Sequence, residues 1–105
     1  MGHVSYNYRD NYGNNYLQIK EIVRTIFSRL NNFQIDRNIT KISVKDNIAE
    51  VEMFVSVIAS AGEDRGYILG DAGQAAEIKV FFEKSSYKWL ITKVEGVFEQ
   101  SRGAF

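Results

Sequence analysis

The chain has 105 residues, 45% of them apolar and 25% charged, in equal numbers of acidic and basic groups. That is the length of one domain able to bury a single core. A formal charge of zero gives no field that would draw nucleic acid or an anionic membrane. Cysteine is absent, so disulfides, thiolate nucleophiles and cysteine metal sites are excluded.

Charge is spread with a mild asymmetry. Residues 1–48 hold seven Lys/Arg against four Asp/Glu, and residues 49–105 hold six against nine. No apolar run approaches the roughly 20 residues of a membrane span. The first fifteen residues are polar and aromatic, without the apolar stretch of a signal peptide. A cytoplasmic setting is therefore the expectation, with a removed leader and an origin as part of a larger protein both left open.

Residues 1–13 are rich in Asn, Tyr, Asp and Gly and carry no apolar periodicity, which predicts a flexible arm or linker. Residues 14–105 then form one domain. Asn14 and Asn15 suit the N-cap of a helix. Over residues 16–32, Tyr16, Ile19, Val23, Ile26, Phe27 and Leu30 recur at helical spacing, with Ile22 in the same stripe. This predicts an amphipathic helix with one buried face. Phe33 and Ile35 are expected to close its end.

Residues 39–45 are rich in β-branched side chains, and Asp46-Asn47 suits a two-residue turn. Residues 48–60 alternate strictly. Ala49, Val51, Met53, Val55, Val57 and Ala59 make one apolar face, with Glu50, Glu52, Phe54, Ser56 and Ile58 on the other. Residues 61–73 read as a Gly-rich connection. Residues 74–84 alternate again, Ser85-Ser86 turns the chain, and residues 87–95 form a last strand. In it Tyr87, Trp89 and Ile91 are set on one face and Leu90, Thr92 and Val94 on the other. Residues 96–105 read as an extension of that strand. The expected fold class is α+β: an N-terminal amphipathic helix packed on a curved four-stranded antiparallel sheet.

The helix 16–30, the hairpin 39–60 and the ending Tyr87-Lys88-Trp89-Leu90-Ile91-Thr92-Lys93-Val94-Glu95 carry a resemblance. In element order and in the Trp-x-Ile pattern of its last strand, the chain resembles the nuclear transport factor 2-like (NTF2-like) family, also called cystatin-like or SnoaL-like. The resemblance covers residues 14–97. It implies a curved sheet, a pocket between sheet and helix, and dimers through the sheet face. It implies no one activity, because the fold hosts enzymes, ligand binders and assembly domains. The chain departs from the family in showing one helix where members have two or three, and in lacking the polar sets of the catalytic members.

No catalytic residue is assigned. His3 is the single histidine and lies in the arm, so triads and histidine metal clusters are excluded. Glu63, Asp64 and Asp71 in the Gly-rich connection have no calcium-loop spacing, and Gly66, Gly70 and Gly73 precede no Lys-Ser/Thr, so no metal site or phosphate loop is expected. No cofactor is expected. A pocket for an apolar small molecule would be lined by Tyr16, Phe27, Met53, Tyr87 and Trp89, though plain core packing explains the same residues.

The stronger lead is the second sheet face, where Phe54, Ile58, Phe81, Leu90 and Val94 lie among charges. One helix cannot cover two faces, and a large apolar patch on a monomer marks an interaction site. A homodimer through these five residues is expected. Phe54, Phe81 and Lys79 would also suit base stacking, but Glu50, Glu52, Glu77 and Glu83 repel phosphates, so nucleic acid is not an expected partner, and neither is a membrane. Asn38-Ile39-Thr40 matches a glycosylation sequon at a strand start, where chance is the better explanation. The functional expectation is a non-catalytic small-molecule-binding or protein-interaction module. The alternative is a small SnoaL-like isomerase or hydrolase acting on an apolar small molecule.

Overall fold

A computed structural model describes residues 2–96. Among these the order is α1 (Tyr16–Arg29), β1 (Asn31–Lys45), β2 (Ile48–Ala61), β3 (Asp64–Leu69), β4 (Ala76–Ser85) and β5 (Lys88–Glu95). All strand pairings are antiparallel, and the sheet runs β1-β2-β4-β5, with β3 continuing beside the far end of β2. This is an α+β fold, one helix followed by a curved antiparallel sheet.

Helix α1 starts where local chemistry dictates. The Asn15 side chain accepts from the Gln18 amide at 3.0 Å, and Gln18 Oε1 accepts from the Asn15 amide at 2.8 Å. This reciprocal capping box satisfies two orphan donors. The helix ends sooner than its periodicity predicts. Leu30 is already extended, and Asn32 takes a left-handed φ of 52°, a conformation asparagine tolerates. That early exit frees residues 31–38 to join the strand predicted to begin at Ile39, so β1 becomes a 15-residue strand.

Three hairpins reverse over two residues each, Asp46-Asn47, Gly62-Glu63 and Ser86-Tyr87. Each has a left-handed first residue: φ is 55° at Asp46, 64° at Gly62 and 57° at Ser86. The middle hairpin is a correction. Residues 61–73 were expected to be a connection, yet Asp64–Leu69 is a fifth strand, paired with Val57–Ala61. Gly66 breaks the alternation there and hides the strand from a periodicity reading.

The register defines two faces, because residues opposite one another share a side. The inner face carries Ala49, Val51, Met53, Val55 and Val57 of β2. Opposite them lie Ala76, Ile78, Val80 and Phe82 of β4, and beyond these Ile91 and Val94 of β5. Val55, Leu69, Ala76, Ile78 and Val80 are buried, with Met53, Val57, Phe82, Ile91 and Val94 packed against them. Each fully buried aliphatic side chain contributes about 1.5–3 kcal/mol, so this cluster is the main source of stability.

Two further expectations are corrected. No side chain of α1 is buried: its apolar stripe is half-covered, and Phe27 is 66% exposed. Nor are residues 2–13 a loose arm. Val4 pairs in parallel with Ile91, the Ser5 amide donates to the Ile91 carbonyl, the Ile91 amide donates to His3, and the Arg9 amide donates to Thr92. The arm thus lies along the outer side of β5. Tyr8 is 2% exposed, the largest fully buried side chain among the described residues. The expected extension over residues 97–105 lies outside the described residues.

Candidate functional site

The five residues expected to line a pocket are not gathered. Tyr16 meets Tyr6 ring to ring at 4.6 Å, at the start of the helix. Phe27 meets Phe33 at 5.0 Å, at its other end. Met53 packs into the core. Tyr87 sits in the Ser86-Tyr87 turn, 96% exposed, and Trp89 lies opposite Lys84 near that turn. A shallow cleft lined by Tyr6, Asn7, Arg9, Asn15, Tyr16 and Leu17 includes one of the five and excludes the other four. A larger open cleft runs along the β1–β2 turn past Ser43, Asp46, Ile48 and Glu83.

The five residues expected to form a dimer face divide between the two faces. Phe54, Ile58, Phe81 and Leu90 lie on the outer face. Val94 lies opposite Val80, on the inner one. A register shift between Phe81 and Phe82 makes Thr92 an extra residue in β5, which reverses the alternation that sequence predicts there. The outer face is also more charged than its apolar residues suggest. Lys41 lies 4.0 Å from Glu52, and Lys93 lies 3.0 Å from Glu95. The ammonium groups of Lys79 and Lys93 stand 5.9 and 5.3 Å from the Phe81 ring centroid. Interface centres are depleted of charge, and here charge surrounds the central aromatic.

The largest exposed apolar set is elsewhere. On β1, Ile35 lies opposite Val57, Ile39 opposite Met53, Ile42 opposite Val51 and Val44 opposite Ala49, all on the inner face. The shift between Ile39 and Lys41 adds Thr40 to the strand and keeps Ile42 and Val44 on the side of Ile35 and Ile39. These four side chains are 47% to 62% exposed. Phe27 and Leu17, both exposed, add to the apolar surface of the helix. Sequence reasoning missed this stripe because it placed Ile35 at a helix end and split it from Ile42. The signal was the alternation of Phe33, Ile35, Arg37 and Ile39.

The polar residues that matter structurally were also missed. Asp10 Oδ1 accepts from the Tyr12 and Asn14 amides at 2.9 and 3.1 Å. Its Oδ2 accepts from the Tyr8 hydroxyl at 2.9 Å and from Asn14 Nδ2 at 3.2 Å. Tyr8 Oη also accepts from the Val94 amide at 3.3 Å. Burial, then the Asp10 bond and its negative charge, push the Tyr8 phenol well above the usual tyrosine range, against a smaller opposing pull from the Val94 amide. The Asp10-x-x-Gly13-Asn14 spacing is a turn signal that could have exposed this motif. Arg65 Nη1 donates to the Asn32 carbonyl at 2.7 Å and to Ser60 Oγ at 2.8 Å, which fastens the start of β1 to its neighbours.

Among the described residues, no three or more His, Asp or Glu side chains gather as a metal site, and no helix is long and apolar enough to cross a membrane. No protein-family model matches the chain, and no curated protein matches it. Among solved structures it is similar to a designed protein of nuclear transport factor 2-like fold, Rd1NTF2_05 carrying five substitutions. The TM-score is 0.57 at 13% identity, over 89% of this chain and 75% of that one. At such identity the likeness speaks for fold alone, and the domain has an NTF2-like α+β fold.

Proposed function

We infer that this domain is a non-catalytic interaction module whose working surface is the exposed apolar side of β1. The observation that carries the reading is the stripe Ile35, Ile39, Ile42 and Val44, four large aliphatic side chains on one face of one strand, each about half exposed or more. Exposed Arg37 interrupts the stripe on the same face, and an exposed apolar set of this length marks an interaction site. From Ile35 to Val44 the stripe runs about 30 Å at roughly 3.3 Å per residue. A small molecule is normally enveloped by a concave pocket, whereas a long open stripe suits a protein surface.

An isomerase or hydrolase needs a buried ionisable group free to exchange a proton with substrate. The buried Tyr8 hydroxyl and its partner Asp10 are occupied with each other and with the backbone of the arm and β5, which suits a structural role.

The test is binding of the apolar dye 8-anilinonaphthalene-1-sulfonate to dilute protein, wild type against Ile35→Ser/Ile42→Ser, with the fold checked by circular dichroism. Strong dye fluorescence with wild type and its loss in the folded variant is expected. Wild-type protein that leaves the dye dark would sink the reading.

A further inference from the structure

The two ends of the path β1-β2-β4-β5 are treated differently. The outer side of β5 is occupied by the arm, through Val4, Ser5 and Arg9. At the other end β1 bonds to β2 on one side, and among the described residues no strand pairs with its other side. A bare edge of 15 residues is a template for strand addition, and natural proteins blunt such edges with charge, proline or bulges. Here β1 carries Asp36, Arg37, Lys41 and Lys45, has no proline, and has register shifts between Asn31 and Gln34 and at Thr40.

We propose that β1 pairs antiparallel with the β1 of a second copy about a twofold axis through Asn38, with Thr40 of each copy left out of the new ladder as it is left out of the β1–β2 ladder. This inference rests on the reading of the β1 stripe as an interaction surface, and it names the partner. In this register Asp36 faces the partner's Lys41, Ile35 faces the partner's Ile42, Phe33 faces the partner's Val44, and Gln34 faces the partner's Ser43. By symmetry each pair occurs twice, as an isologous contact requires.

The bulge makes the register sterically consistent. With every residue kept in the ladder, an axis through Asn38 would set Ile35 against the partner's Lys41, an inner-face residue against an outer-face one. Thr40 supplies one extra residue and reverses the alternation once. Ile35 and Ile42 then both lie on the inner face, and Asp36 and Lys41 both lie on the outer face. A feature that blunts the edge toward other chains thus fits it to its own copy.

Neighbouring registers lack this fit. Moving the axis onto Ile39, with Thr40 again left out, would set Arg37 against the partner's Ile42 and Asn38 against the partner's Lys41, and Asp36 would lose its opposite charge. Keeping Thr40 in the ladder would set Asp36 against the partner's Thr40 and leave Lys41 without its opposite charge. In the proposed register Ile35 and Ile42 become apolar cross-strand neighbours, Ile39 faces the partner's Arg37, and the only directly opposed charges are of opposite sign.

The test is solution mass by light scattering over a dilution series, with circular dichroism to confirm folding. Asp36→Lys sets lysine against lysine, Lys41→Asp sets aspartate against aspartate, and the double swap Asp36→Lys/Lys41→Asp restores an opposite-sign pair. Wild type is expected to dimerise, each single variant to associate at least roughly tenfold more weakly, and the swap to recover most of the loss. The exposed Lys41–Glu52 pair is also lost in Lys41→Asp, but such a pair adds little to stability. A dimer unaffected by the single substitutions, or not recovered by the swap, would overturn the register. A wild-type monomer at every concentration would overturn the pairing itself. If that monomer binds the apolar dye, the interaction surface stands and its occupant is another protein; if it does not, both readings fall.

Discussion

Tyr8 shows how much can hang on one side chain that composition marks as ordinary. Its ring is buried, and its hydroxyl joins Asp10 in the arm to the Val94 amide in β5. Removing only the oxygen leaves both partners short of a bond, so Tyr8→Phe should lower unfolding free energy by about 1–3 kcal/mol in urea melts. The phenol also carries a pH signature. Its folded pKa is raised, while in the unfolded chain it ionises near about pH 10. Above that value the unfolded state has released a proton the folded state still holds, so stability falls as pH rises through the alkaline range. The loss should be smaller in Tyr8→Phe, read as the difference in denaturation midpoint between about pH 8 and about pH 11. A slope unchanged in the variant would mean that other groups set the alkaline limit. None of this was legible in residues 1–13, because a single buried tyrosine has no period and its partner strand lies more than eighty positions away.

The elements repeat one device, a two-residue reversal entered through a left-handed residue. Gly62 fits that conformation freely, and Asp46 tolerates it through its short polar side chain. Ser86, at φ 57°, has the weaker excuse. Ser86→Gly should raise stability by about 0.5–1 kcal/mol, the strain relieved being partly offset by the greater freedom of glycine in the unfolded chain. Asp46→Gly should gain less. Thermal melts of the two variants decide the matter, and a destabilised Ser86→Gly would show that the serine makes a local bond worth more than the strain. At this scale sequence reading did well wherever a period was sustained. The long alternation of residues 48–60 and the capped, amphipathic start of α1 both appear where expected. It failed where one residue disturbs the period: Gly66 concealed β3, Thr92 moved Val94 to the opposite face, and the early stop at Leu30 concealed the first half of β1.

For the whole molecule, fold class followed from the order of elements, while the surface depended on register, which no single strand reveals. The outer face was read as apolar because Phe54, Phe81 and Leu90 fall on it; the cross-strand pairings then put Lys79 and Lys93 beside Phe81. Phe81→Glu distinguishes the two candidate seams. If copies meet along β1, the variant should keep the wild-type solution mass, since the new carboxylate sits between two ammonium groups. A shift to monomer would move the seam to the Phe54–Phe81 face.

The docking of residues 3–9 against β5 has a consequence for assembly. A sheet with two open edges that joins copies side by side can add a third and a fourth, and its logical end is a fibre. In this domain the arm occupies the middle of the β5 edge, so of the two ends of the path β1-β2-β4-β5 only β1 is open among the described residues. Two copies joined through β1 would present arm-covered β5 strands at both ends of that path, which hinders further addition there. The tyrosine-rich opening, which reads as the least structured part of the chain, would then be its terminator.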